Sequence, residues 1–271
     1  MNTIDFIRKI ADLEKSLRVK IEYFLKRLFA LRKKENEVTF SREFFTSQSS
    51  CQIPNLGMLY SKFLGEREFG TFVEIGANDG ISCSNTWGLA ERGWTGFMVE
   101  PIPKSALACK ENHRNHPRVN TYQYAIGNLD GINLKLTLAG MLTTANPDLH
   151  AEYLLTEWAT PFVTSEEVVI QSKKLDTFLV EIGIEKGFDV LVVDVEGFES
   201  QVFAGFSLSL WCPKMLIVEL ADTHPDLNST SKVDARLGKV IVGTGYSIVY
   251  KDCINTVFIR DDVWEYTFRS D

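Results

Sequence analysis

The sequence predicts an α/β fold: a mostly parallel sheet covered by helices on both faces, closed by an antiparallel hairpin near its carboxyl end. Three observations carry this. The apolar runs "TFVEI", "TGFMVE", "FDVLVVDV" and "PKMLIVEL" are continuous rather than alternating, as strands buried on both faces must be. Segments with helical signals separate them, giving the alternation of a doubly wound sheet. The last apolar stretch, "YSIVYKDCINTVFIR", has a turn and no helix between its halves, so it pairs as a hairpin.

The elements follow in chain order. Residues 3–35 form one amphipathic helix, with Ile7, Ile21 and Leu28 on one heptad position and Ile10, Leu17, Phe24 and Leu31 on the other. Glu14 interrupts the first stripe. Such a stripe fits a partner subunit in a homo-oligomer or the body of the protein. Its Lys/Arg excess leaves peripheral membrane contact open, but acidic residues mixed along the polar face favour packing. Residues 1–40 are therefore predicted as an arm and linker, and residues 41–271 as the main domain. "NLGMLYSKFLGE" is a short helix leading in. After "TFVEI" comes a helix from about Ser82 to Arg92, then the strand "TGFMVE" and a helix over 103–115. "VNTYQYAI" is a third strand and "INLKLTLA" an additional one. Residues 140–170, with two prolines and several aromatics, are expected to be irregular. "KLDTFLVEIG" is a helix, and a last helix near 233–242 precedes the hairpin.

Composition narrows the function. Residues 1–40 hold ten Lys/Arg against six Asp/Glu, and the remainder 19 against 30, so the body carries −11. An acidic body argues against a nucleic-acid partner, which needs clustered positive charge. The five cysteines are scattered and contain no C-x-x-C pair, so neither a disulfide framework nor a zinc site is expected. No run approaches the ~20 apolar residues that span a bilayer, and no apolar block opens the chain. The expectation is a cytoplasmic protein.

The stretch "FVEIGANDGISCSNT" places a glycine-rich turn at the carboxyl end of the first strand, where doubly wound sheets bind ligands. A dinucleotide site would need G-x-G-x-x-G against a pyrophosphate. Here the spacing is Glu74-x-Gly76-x-x-x-Gly80, with an acid where phosphate would approach, and no Gly-Lys-Ser/Thr follows. S-adenosylmethionine suits the pattern better. It has no phosphate, it carries cationic ammonium and sulfonium groups, and its ribose diol needs an acid such as Glu100, which ends "GFMVE" twenty residues after Gly80.

Those two stretches, the second extended as "GWTGFMVEPIP", together with "LVVDVEGFESQVFAGF", resemble the FkbM-type methyltransferases, over roughly residues 49–260. The resemblance implies a Rossmann-like class I methyltransferase fold and S-adenosylmethionine as cofactor. It also implies O-methylation of a hydroxyl-bearing acceptor, typically a natural product or a sugar of a bacterial glycan. Candidate cofactor contacts are Glu74, Gly76, Ala77, Asn78, Asp79, Gly80, Ser84, Asn85, Thr86, Glu100 and Pro101. Ala125 and Ile126 would border the adenine, and Asp194 would complete the set.

Catalytic candidates lie at the other strand ends. Asp194 and Glu196, in "DVEGFES", and Glu219, which ends "PKMLIVE", are acids delivered to one crevice by apolar strands. Glu199 is assigned instead to the helix start, where the backbone dipole favours an acid. His224, in "ELADTHPD", is the best-placed histidine for a general base, whereas His113 and His116 are expected to face solvent. An alcohol acceptor must lose its proton; a carboxylate, the histidine, or a divalent metal held by Asp194, Glu219 and Asp222 would serve. A saccharide is the favoured acceptor, with Tyr153, Trp158 and Phe162 of the 140–170 segment as its wall. The alternatives are a non-sugar metabolite as acceptor, or a non-catalytic nucleoside-binding scaffold. Several crevice acids disfavour the scaffold, because buried acids without a use are costly.

Overall fold

The computed structural model describes residues 51–269. The amphipathic helix expected over 3–35, the linker and the boundary near residue 40 lie outside the described residues. The strands are β1 (Thr71–Ile75), β2 (Thr95–Val99), β3 (Val119–Tyr122), β4 (Ala125–Gly127), β5 (Asn133–Thr137), β6 (Glu167–Lys174), β7 (Val190–Val193), β8 (Met215–Glu219), β9 (Tyr246–Lys251) and β10 (Asn255–Arg260). The helices are α1 (Leu56–Leu64), α2 (Trp87–Glu91), α3 (Pro103–Asn112), α4 (Pro147–Tyr153), α5 (Leu175–Glu181), α6 (Glu199–Ala204), α7 (Leu208–Trp211), α8 (Ser231–Gly243) and α9 (Asp261–Arg269).

Seven strands form the main sheet in the order β3-β2-β1-β7-β8-β10-β9. The pairs from β3 through β8 are parallel, and β10 is antiparallel to both β8 and β9. This is the sheet expected from the sequence, hairpin included. Alternate residues of each central strand serve opposite faces, as the pleat requires. Val73, Leu191, Val193, Leu216 and Val218 meet α5 and α8 through Phe178, Leu179, Leu237 and Ile241. Phe72, Val190, Val192, Met215 and Ile217 meet Tyr60, Phe63, Leu89 and Trp94 on the other face. Both faces are thus apolar, which is why the strand sequences show no alternation.

Several local expectations are corrected. "VNTYQYAI" is two strands: β3 joins the main sheet, and β4 joins a small second sheet of order β4-β6-β5. No helix begins at Ser82. The Asp79 carboxylate accepts the Ile81 and Ser82 N–H groups (2.9 and 2.7 Å) and Cys83 has φ 60°, so the chain keeps turning until Trp87. The 140–170 segment is not structureless. It contains a 3₁₀ turn (Gly140–Leu142), α4, and the start of β6. Asn146 caps α4 by accepting from the Asp148 and Leu149 N–H groups, with Pro147 opening the helix. Finally, α9 follows the hairpin, its Trp264 stacked on Phe63 at 5.6 Å. Among the described residues no helix is long and apolar enough to cross a membrane.

Candidate active site

The crevice opens at the carboxyl ends of β1, β2, β7 and β8, where strand order reverses between β1 and β7. Its floor is the turn after β1. Gly76 and Ala77 donate their N–H groups to the Val99 carbonyl at the end of β2 (2.9 and 3.1 Å), and Asp194 donates its N–H to the Ile75 carbonyl. The turn is therefore stitched to strands on both sides. Gly76 has φ +88°, and a Cβ there would lie 1.7 Å from the Asp194 carbonyl oxygen. Only glycine fits, and its bare backbone leaves room for a ligand to approach closely.

Two acids flank this turn. Glu100 accepts the Asn78 and Ile102 N–H groups (2.9 and 2.8 Å), tying the glycine loop to the end of β2. Burial pushes its carboxyl up to about 7, although the two N–H bonds oppose the shift. Glu74, 4% exposed, accepts the Thr86 hydroxyl at 2.6 Å. It too is pushed up to about 7, mainly by burial, with Asp194 and Asp79 adding repulsion.

A third group of acids lies beyond the ends of β7 and β8. Carboxylate oxygens of Asp194, Glu196 and Glu219 all lie within 4.8 Å of one another. Burial raises each carboxyl, and mutual repulsion raises Glu196 and Glu219 further. Gln52 lines the same crevice, and Tyr153 Oη donates to Glu196 Oε2. Glu219 Oε2 is buried and has no hydrogen-bond partner among the described residues. No ion pair to these three acids occurs among the described residues. Three half-buried acids this close resist ionising together in the absence of a cation, which favours forms that keep a proton among them. The same all-oxygen set fits a hard divalent ion by its chemistry.

The outer wall is built by residues 139–163 and 221–230. Trp158 donates its indole N–H to Asp226 Oδ2 at 2.9 Å, and its ring lies 5.8 Å from that of His224. Glu152 accepts the Asn228 and Ser229 N–H groups (2.7 and 3.0 Å), clamping α4 to this second loop. Leu149, Tyr153, Ala159 and Leu227 make a small core of their own behind the wall.

The predicted residues divide cleanly. Glu74, Gly76, Ala77, Asn78, Ser84, Glu100, Pro101, Ala125, Ile126, Asp194, Glu196, Glu219 and His224 all line the crevice. Asp79, Gly80, Asn85 and Thr86 do not; they support its floor. Asp79 caps the following turn, Thr86 holds Glu74, and the Asn85 carbonyl accepts the Tyr60 hydroxyl at 2.7 Å. Asp222 is also displaced from its expected role, since Lys251 holds it at 2.6 Å outside the carboxylate cluster. His113 is buried rather than solvent-facing, with Nε2 at 3.0 Å from the Gly80 carbonyl and its ring against Trp87. Glu199 does open α6 as expected, where it accepts the Val195 N–H at 2.9 Å. Burial pushes it up to about 8. His224 lines the crevice but is a poor base. Its Nδ1 accepts the Asp226 N–H at 3.1 Å, so the neutral ring carries its proton on Nε2 and presents a donor. Trp158 lines the wall, whereas Tyr153, 2% exposed, reaches the crevice only at its edge and Phe162 packs behind. Sequence reasoning missed Gln52, Tyr124, Met141 and Phe198; only Phe198 sits within a quoted motif, "DVEGFES", where the acids beside it carried the reading.

Comparison with known proteins gives this crevice its context. Residues 74–246, well over half of the chain, match the model of the methyltransferase FkbM domain. A curated relative, the 2-O-methyltransferase NoeI of Sinorhizobium fredii, is 26% identical over 168 residues, which span 58% of this chain and 65% of the relative. The match thus covers less than two thirds of that relative's length. Among solved structures, an O-methyltransferase from Bacillus cereus in complex with SAH aligns with 89% of this chain and 91% of its own (12% identity, TM-score 0.44). A fibrillarin from Aeropyrum pernix with bound S-adenosyl-L-methionine aligns with 70% and 65% (11% identity, TM-score 0.35). The extent of the domain match, starting at the first crevice acid and running through every parallel strand end, places the chain in the FkbM methyltransferase family, whose members depend on S-adenosylmethionine.

Proposed function

We propose that this protein transfers a methyl group from S-adenosylmethionine to a hydroxyl of a saccharide. The observation that carries the reading is the juxtaposition, in one crevice, of the glycine turn with its two acids and the half-buried Asp194–Glu196–Glu219 cluster. When bound, the cofactor supplies an electrophilic methyl on a sulfonium. The protein must then position the acceptor and receive its proton, and positioning supplies much of the rate in such displacements.

The floor holds the cofactor side. Gly76 gives close backbone approach, Glu74 and Asp194 offer negative charge to its cationic groups, and Glu100 stands where a ribose diol would be met. Glu100→Ala should weaken cofactor affinity by about 1–3 kcal/mol, through lost charge-assisted bonds and a loosened Asn78. Calorimetry showing unchanged affinity would remove Glu100 from the site.

The acid cluster receives the proton. A carboxylate whose basicity is raised by burial and like-charged neighbours is better matched to a hydroxyl than an exposed one. Proton transfer within the cluster then keeps the accepting oxygen ionised. The donor-presenting His224 fits acceptor binding better than proton removal. The second reading, metal-assisted deprotonation, is favoured by one observation: three carboxylates converge with no cationic side chain paired to them among the described residues.

The saccharide assignment rests on the wall. Trp158 and the edge of the His224 ring offer aromatic surface suited to the apolar faces of sugar rings, with carboxylates and N–H groups beside them for hydroxyls. A relative named as a 2-O-methyltransferase supports oxygen as the methylated atom. Trp158→Ala should raise the acceptor KM about tenfold and spare cofactor affinity; an unaltered KM would count against the wall. The function itself is tested by mass spectrometry of a panel of oligosaccharides and non-sugar alcohols, incubated with protein and cofactor. A saccharide product one methylene heavier supports the reading. Product from the non-sugar alcohols alone would redirect the substrate class, and no product from any would return the scaffold alternative.

A further inference from the structure

One acid of the cluster is not delivered by a strand. Asp194 and Glu219 stand at the ends of β7 and β8, but Glu196 lies two residues past Asp194 on a turn, with φ +55°. For a residue with a Cβ the left-handed region is uncommon and costs of order 1 kcal/mol or more, and it persists only where the surroundings impose it. Gly197, next in the chain, is also left-handed at φ +80°. Nothing in β7 or α6 requires two such residues in a row.

The surroundings that impose it come from one segment about fifty residues earlier. Thr144 Oγ1 donates to the Glu196 carbonyl at 2.6 Å. Asn146 Nδ2 donates to the Gly197 carbonyl at 3.0 Å. Tyr153 Oη donates to the Glu196 carboxylate Oε2 at 2.5 Å. Leu149, between them on α4, packs so close to Gly197 that a Cβ there would lie 2.6 Å from its Cδ2. Thr144 is 1% exposed and Tyr153 2% exposed, so neither bond competes with water. Two backbone carbonyls and one carboxylate oxygen of a two-residue turn are thus held by three side chains of a single short stretch.

That stretch also carries the acceptor wall, for Trp158 follows α4 by five residues and edges Tyr153 at 6.1 Å. We infer that Tyr153 and Thr144 are positioning residues: they hold Glu196 in the carboxylate cluster, so the element forming the acceptor wall also sets the acid facing the acceptor. This rests on the proposed role of the cluster in proton removal. Thr144 acts on the backbone and Tyr153 on the side chain, which makes their contributions separable. A displacement of about 1 Å in a catalytic group is enough to cost roughly 10²-fold in rate.

The first test is crystallographic and needs no acceptor. Structures of Tyr153→Phe and Thr144→Val should show the Glu196 carboxylate moved from Asp194 and Glu219, with the fold and the glycine turn unchanged. A Glu196 that keeps both its left-handed backbone and its carboxylate position in both variants overturns the inference. The second test is kinetic, with whichever saccharide of the panel is methylated. Tyr153→Phe should lower kcat at least tenfold with acceptor KM changed less than threefold. Thr144→Ser, which keeps the hydroxyl, should recover most of the turnover that Thr144→Val loses. Equal loss in the serine and valine variants would mean a packing role and overturns it. Glu196→Gln separates the layers. If it is damaging while Tyr153→Phe is not, the positioning role fails and the cluster's role stands. If it is harmless, both fail. Combined with Tyr153→Phe, it should cost no more than Glu196→Gln alone; additive losses would show that the tyrosine acts elsewhere.

Discussion

Asp194→Asn should lower turnover by about 10²-fold or more, the range usual for a general acid–base group. Asp194 has a carboxylate oxygen within 4.8 Å of those of Glu196 and Glu219, and its charge repels both. Asparagine keeps the shape but removes the charge, so it can neither accept a proton nor balance one held by its neighbours. It is also a poorer ligand for a hard cation. The loss is therefore expected whether a carboxylate or a metal assists deprotonation, and two further measurements separate those routes. EDTA should leave the activity intact, because Tyr153 already donates to Glu196 and three carboxylates this close can hold a proton among themselves. Loss of activity with EDTA, restored by magnesium, would establish the metal route instead. His224→Ala should lower kcat only a few-fold, since the ring presents Nε2–H rather than a lone pair. A 10²-fold loss there would return the histidine as base. Full activity in Asp194→Asn would sink both carboxylate and metal versions, leaving Glu196 and Glu219 as the acids to examine.

Gly76→Ala should abolish measurable cofactor binding and destabilise the fold by about 3 kcal/mol or more. Two penalties combine. The backbone at φ +88° disfavours any side chain, and the new methyl would strike the Asp194 carbonyl oxygen, which belongs to the main chain and cannot swing aside. Relief requires the turn to separate from the end of β7, breaking the bond from the Asp194 N–H to the Ile75 carbonyl that stitches the floor on that side. In thermal unfolding the change should appear as a drop of roughly 10 °C, at ~3 °C per kcal/mol for a chain of this size. A variant with unchanged Tm and unchanged calorimetric affinity would mean that the turn is not shaped as described.

The legible parts of the molecule were those encoded locally. Strands β1, β2, β7 and β8 are continuous apolar runs because both faces are covered, and each ends in an acid or a glycine turn that shows in the sequence. Strand β6 escaped notice because its residues alternate between exposed and half-buried through most of its length, and it pairs outside the main sheet. Helix α4 has a local start signal in Asn146-Pro147, but the turn-forming residues around it mask that signal. The site's remaining features are non-local. His113 is buried because its partner is a carbonyl 33 residues away, and Tyr153 reaches Glu196 across 43. Lys251 claims Asp222 across 29, and no periodicity or short motif records such pairings. Gln52 precedes the first strand altogether.

The reversal of strand order also has a kinetic side. Strand β1 meets β2 after only 24 residues, Thr71 opposite Thr95, whereas its other neighbour, β7, arrives 118 residues later, Phe72 opposite Val190. Loop-closure entropy must be met before a pairing that distant is rewarded, so this contact is intrinsically slow to form. The β1–β2 edge, with its glycine turn, can assemble early from neighbouring chain. The crevice cannot, because its second wall is the end of β7 and the acids beyond it. A nascent chain or fragment stopping before Asp194 would own half a pocket, and ligand protection during refolding would report closure of the sheet's centre rather than formation of the turn.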